Sequence, residues 1–330
     1  AAPATVLLSW GAGTDSAAWT NTLLLGTGLT VGTSALPLFG NLKGIALYTT
    51  YGYVFHATNA CGESWSDPVT FTTGSGLPLS LTWDAGGGTN LCVDTTNNWD
   101  VETVQDFNGG AQAIFGTGGA TALINRAVCF YGAAFNRGTN FTIAAGGGAL
   151  SLRAGGLSVA LPTATSRTHT LASDVTLVDA QTWFVTNNGA ASAALDVTGS
   201  LADGTPPSGL TKTGDGTLTL KAANTYQGVT TVSNGALAIT HSLALGSAAG
   251  ATVVRSTAGG RLLLSGGLLV AEPLTLNGER ANSGYSVQSS GGSNVWSGPL
   301  TRIGQTRISV ASGSTLVLTG GASGGGGLFV

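Results

Sequence analysis

Four acidic residues crowd one stretch of this chain, Asp94, Asp100, Glu102 and Asp106. Carboxylates gathered in this way can serve as acid and base on a glycosidic bond or as oxygen ligands for calcium. The run lacks the oxygen-donor rhythm and the central glycine of an EF-hand loop. No cluster of Arg or Lys accompanies it to hold a developing anion. A solvated segment is the favoured reading, and no catalytic and no metal residue is assigned.

The remaining candidates for chemistry are equally dispersed. His56, His169 and His241 lie far apart in strand-like contexts, and no GxSxG motif surrounds a serine. They read as ordinary surface or strand residues. Cys61, Cys92 and Cys129 form an odd set without CxxC or Cys/His spacing, so a zinc site has no support. At most one bridge can form, Cys92 to Cys129, against buried thiols as the alternative. Gly86 to Gly88, Gly146 to Gly148 and Gly324 to Gly327 carry no Lys-Ser/Thr after them and open no helix, so they read as turns and not as phosphate loops. No cofactor is expected.

Aromatic rings can bind sugars through their faces, which draws attention to Trp10, Trp65, Trp83, Trp99, Trp183 and Trp296. Core packing is expected of Trp65 and Trp183, whereas Trp83 and Trp99 stand as candidate ligand-stacking residues.

The elements that would position any of these residues follow from composition. Only 8% of the residues are Asp, Glu, Lys or Arg and 53 are Gly, against a usual charged share of about 25%. The polar faces are written in Thr, Ser, Asn and Gly, which favour strands and turns over helices. A net charge of −3 from scattered residues offers nothing to neutralise phosphates, which excludes nucleic acid as the partner. No stretch approaches 18 uninterrupted apolar residues, so no membrane insertion is expected. The lack of Met and the opening Ala-Ala-Pro-Ala suggest a mature or partial chain of an exported protein.

Residues 51–59 alternate aromatic or aliphatic with small or polar side chains, the period of a half-buried strand, and a second strand follows at residues 68–73. Composition shifts after that point. The expected organisation is a small unit over 1–74, a linker over 75–79, and a second unit over 80–330 in which strands of four to six residues recur between glycine turns. Residues 234–239, 258–264 and 312–318 share one plan, a Gly turn followed by an alternating Leu/Ile strand, which favours a repeated structural unit.

Two resemblances sharpen this. ATNACGESWS at residues 57–66 with VTFTT at 69–73 resembles the last two strands of bacterial fibronectin type III-like modules, in which Tyr51 or Tyr48 would anchor the tyrosine corner. Residues 1–47 are similar only loosely, through Val6 to Trp10. GLTKTGDGTLTL at 209–220, continued by ANTYQGVTTV at 223–232 and Gly235-Ala236-Leu237, resembles the autotransporter-associated β-strand repeat, also called the passenger-associated transport repeat. Residues 81–88, 97–99 and 294–300 fit the bacterial surface proteins that carry it. The family's passengers usually precede a membrane-embedded β-barrel, and none is expected within these 330 residues.

The fold class these resemblances imply is all-β, a small fibronectin type III-like β-sandwich followed by a right-handed parallel β-helix. Inward Leu, Val and Ile would stack coil on coil, with Thr and Ser outside and Gly at the corners. Coils of about 20–25 residues would give roughly 10 to 12 coils and a rod about 50 Å long. The implied function is that of an extracellular structural protein, secreted or at the cell surface, a surface fibre or filament subunit and not an enzyme. Its partners would be copies of itself joined head to tail, with Leu328, Phe329 and Val330 as the interface, or neighbouring surface proteins. The alternative is an adhesin or carbohydrate-binding passenger domain that contacts glycans. A polysaccharide-degrading β-helix enzyme ranks last.

Overall fold

The computed structural model describes residues 2–30, 49–72, 79–83, 111–116, 119–278 and 284–330. The chain is all-β, 57% strand and 2% helical. Its internal contacts divide it into two units, Ala1–Leu77 and Pro78–Val330.

The first unit is an antiparallel sheet of β1 (Ala4–Ala12), β2 (Asn21–Leu29), β3 (Thr50–Asn59), β4 (Gly62–Trp65) and β5 (Val69–Thr72). Its order is β2-β1-β3-β4, with β5 also paired to β3. Alternation sorts the side chains. Leu8, Trp10 and Tyr51 are buried on one face with Leu23, Tyr53 and Phe71 against them, and the rings of Tyr51 and Phe71 stack at 5.7 Å. The opposite face carries Ser9, Gly11, Gly52, Val54, His56 and Trp65, which oppose one another in register. A sheet with one apolar face is consistent with a small sandwich. Of the two tyrosines considered for a corner, Tyr51 is buried and Tyr48 lies outside the described residues.

The second unit is a parallel β-solenoid of about 9 turns from residue 112 onward. Its described strands lie in a 13-stranded sheet, a 10-stranded sheet and a 3-stranded sheet formed by Leu269–Val270, Ser293–Trp296 and Thr315–Leu318. Cross-coil hydrogen bonds join residues as near in sequence as Leu210 and Val229 and as far apart as Val185 and Gly216. About 9 turns over residues 112–330 amount to about 24 residues per coil, within the length that the sequence suggested.

Side chains in register build ladders along the axis. In the 10-stranded sheet one inward ladder runs His169, Leu195, Leu218, Leu237, Leu262, Val287 and Ile308. Every member is buried. Each such Leu contributes about 1.5–3 kcal/mol through burial. Thr217–Leu220 shows the logic locally, with Leu218 and Leu220 buried and Thr217 and Thr219 half-exposed.

Glycine is required where coils close up. A Cβ on Gly235, whose φ is +67°, would fall 2.4 Å from the Gly214 oxygen one coil back. Gly146 and Gly148 lie in a bend, as expected. Gly324 and Gly325 do not: they belong to the strand Ala322–Gly325, paired with Arg302 and Ile303. A Cβ at Gly324 would meet the Arg302 oxygen at 2.0 Å, so close strand stacking, together with a φ of +94°, selects glycine there. Gly86 to Gly88 lie outside the described residues.

Candidate functional site

The acidic run from Asp94 to Asp106, Cys92 and Trp99 lie outside the described residues. Among the described residues no cluster of three or more His, Cys, Asp or Glu could hold a metal. Cys61 is exposed and Cys129 half-buried, both as thiols, and burial pushes the Cys129 thiol pKa up. The histidines are not brought together. Nδ1 of His241 accepts from Leu243 N at 3.1 Å, and Nε2 of His56 lies 3.0 Å from Oε2 of Glu63. His169 is fully buried, its ring stacked on Phe135 at 5.1 Å, because it holds an inward ladder position.

Where the structure concentrates specific polar geometry is residues 210–239. Alternation along Leu210–Thr213 sends Leu210 and Lys212 inward. Lys212 is fully buried, and its ammonium donates to the carbonyls of Thr213, Gly214 and Asn234 at 2.6, 2.8 and 3.2 Å. It gathers the carbonyls of its own corner and of the next coil's. Burial lowers its pKa to about 7, opposed by the nearby Asp215 charge. Asp215 reaches one coil back, where its carboxylate accepts from Asn187 N at 2.8 Å and from Thr186 Oγ1 at 3.0 Å. The backbone hydrogen bond from Asn187 is the main cause that holds this carboxyl below its ordinary range.

Asn224 ties three coils with one side chain. Its Oδ1 accepts from Leu201 N at 2.7 Å and its Nδ2 donates to the Ala244 carbonyl. Tyr226 is fully buried, with its hydroxyl 2.6 Å from Thr230 Oγ1, and burial raises its pKa. Thr230 stacks in register under Thr252, whose Oγ1 donates to Oε1 of buried Glu272 at 2.8 Å. Burial lifts the Glu272 carboxyl to about 7. In the next coil Trp296 Nε1 donates to the Glu272 carbonyl at 2.8 Å. These groups satisfy one another inside the core, as buried polar atoms must. The arrangement locks coil to coil and presents no open position for a substrate.

The tryptophans divide differently from expectation. Trp183 is fully buried, as expected, but so is Trp83. Trp83 lies two residues after buried Leu81 and so on the same inward face, 6.1 Å from the Phe115 ring. It is no surface platform. Trp65, expected in the core, is instead 54% exposed, because it ends a four-residue edge strand on the outer face of the sheet. One side of its indole stacks on the His56 imidazole at 3.8 Å and 11°.

Trp19 was not singled out in the sequence at all. Its indole lies across Gly11 and Gly52, which face each other in register. A Cβ on Gly11 would fall 2.6 Å from its Cδ1, and one on Gly52 2.0 Å from its Cζ2. Two glycines paired across strands thus form a seat for one ring. The signal was present, but only the strand register reveals it. Trp19 and Trp65 line a cleft of about 440 Å³ with Ser9, Ser16, Val54 and Pro68 among its walls.

Leu328 and Phe329 form a strand that pairs with Thr306 and Arg307. Leu328 packs partly buried against the core, while Phe329 is 46% and Val330 90% exposed.

No curated protein and no solved structure matches the chain. Residues 210–239, the stretch that carries Lys212, Asp215, Asn224, Tyr226 and Gly235, match the family model of the passenger-associated-transport-repeat.

Proposed function

We propose that this chain is part of an extracellular structural protein, a passenger-like bacterial surface protein whose solenoid acts as a fibre or spacer and carries out no catalysis. The observation that carries the proposal is the coincidence of the repeat match with the coil-locking set of Lys212, Asp215 and Asn224. Each of these three side chains bonds to a neighbouring coil, and Tyr226 is held within its own coil by Thr230. A chain stabilised by nearest-neighbour coil contacts can fold by propagation from any formed coil, which suits folding after export. The low charge of the chain, 8%, fits a role that needs stacking rather than steering. The first unit serves as a fibronectin type III-like module of the same surface protein. Copies join end to end, using the edge of the strand Leu328–Phe329 opposite its pairing with Thr306–Val310.

Protease shaving and antibody labelling of intact cells producing the protein test its location. Surface labelling that shaving removes is the expected result. Protein found only inside intact cells overturns the proposal.

A further inference from the structure

The outer face of the N-terminal sheet carries a built aromatic cleft that the structural role of the solenoid does not use. Its volume, about 440 Å³, falls within the roughly 300–1,000 Å³ of small-ligand sites. Trp19 forms its floor, held by the glycine seat at positions 11 and 52 and not by a hydrogen bond, since its Nε1 is shielded from solvent and has no partner. Trp65 forms a wall. His56 covers one side of that indole and is itself held by Glu63 at 3.0 Å, so the 54% that remains exposed belongs to a ring already fixed in orientation.

We propose that this cleft binds a neutral saccharide, with a pyranose ring stacked on Trp65 and its hydroxyls directed to Ser9 and Ser16. Three observations select that class. The lining, Ser9, Ser16, Ala17, Trp19, Val54, Trp65, Ser66 and Pro68, contains no ionisable side chain, so a nucleotide, a sugar acid or a charged peptide would enter without a counter-charge. The Ser9 and Ser16 hydroxyls make no hydrogen bond to a described residue, and a hydroxyl both donates and accepts, as a sugar hydroxyl does. The exposed indole offers a rigid apolar face at little entropic cost. A sugar ring with an apolar C–H face and a polar rim complements both. An extended proline-rich peptide also docks on aromatic grooves, but the Trp19 N–H is buried away from any peptide carbonyl.

Tryptophan fluorescence and isothermal titration of the full chain test this with a panel of neutral oligosaccharides: β-1,4-glucan, xylan, mannan, chitin and α-glucan fragments. At least one should bind saturably. Trp65→Ala should weaken that binding tenfold or more while the circular dichroism spectrum stays unchanged, since Trp65 is mostly exposed. Gly52→Ala, which displaces the Trp19 indole, should weaken it as well, whereas Trp65→Phe should retain part of it. Failure of the whole panel to bind folded protein overturns the proposal. So does binding that Trp65→Ala leaves intact, or saturable binding of decaproline in place of every saccharide.

Discussion

Lys212 lies directly on Trp183 in the inward ladder of the long sheet, one coil along and in register, and both side chains are fully buried. A charged side chain in an apolar ladder is stable only because three carbonyls receive its protons. Lys212→Met keeps the length and apolar stem but leaves those carbonyls without a donor. The expected loss is roughly 2 kcal/mol, read as a lower urea midpoint, with faster amide exchange around Gly214 and Asn234. An unchanged midpoint would mean that water replaces the ammonium.

His169 makes the opposite case. It occupies the ladder position below Leu195, and neither ring nitrogen has a hydrogen-bond partner. Burial is the main cause that lowers its pKa from 6.5 to about 4, with Arg137 and Arg167 adding to it. The unfolded chain therefore takes up a proton first as pH falls, and stability drops from about 6.5 down to about 4. His169→Leu extends the aliphatic ladder and removes this dependence. It should stabilise the protein modestly at neutral pH and by roughly 3 kcal/mol more near pH 4. Thermal melts of both proteins across pH 4 to 7 check the slope; a variant less stable than the parent at every pH would refute it.

Glu272 gives a pH dependence of the other sign. Its folded pKa is raised from 4.5 to about 7 by burial, so its contribution is fully present below 4.5 and is lost as pH rises through about 7. Glu272→Gln keeps an acceptor for Thr252 and cannot ionise. The variant's advantage over the parent should grow from pH 4.5 to 7 and level off above, reaching at most roughly 3 kcal/mol. The difference between the two proteins isolates this group from His169. A difference that stays flat with pH would show that Glu272 is solvated.

Much of this was legible in the sequence, and particular residues show where legibility ended. The strand at Thr217–Leu220 announces its inward face by alternation alone, and the repeat stretch announces a solenoid. The same period-two rule applied to Leu81 and Trp83, or to Leu210 and Lys212, places both second residues inside. Both are fully buried. Trp65 could not be placed that way, because an edge strand has an outer face only once its sheet is known. The seat at Gly11 and Gly52 depends on the register between two strands distant in sequence, which local pattern does not carry.

The strand edge at Leu328–Phe329 bears on assembly. The strand Leu328–Phe329 pairs through Leu328 and Phe329 with Thr306 and Arg307. Around it Val317, Leu318, Phe329 and Val330 are exposed by 43%, 39%, 46% and 90%. Apolar side chains beside a strand edge invite another chain to pair there. On the proposed end-to-end joining, the partner surface on the next copy would be its N-terminal region, a heterologous contact that need not close and would favour open filaments over compact oligomers. Sedimentation velocity over a rising concentration series, with electron microscopy of the same samples, should show growing linear assemblies. Deletion of residues 324–330 should leave soluble monomers, and Phe329→Glu should shift the onset of assembly to higher concentration without removing the strand. An intact chain that stays monomeric at high concentration, or a truncated chain that forms the same filaments, would show that this edge is not the joint.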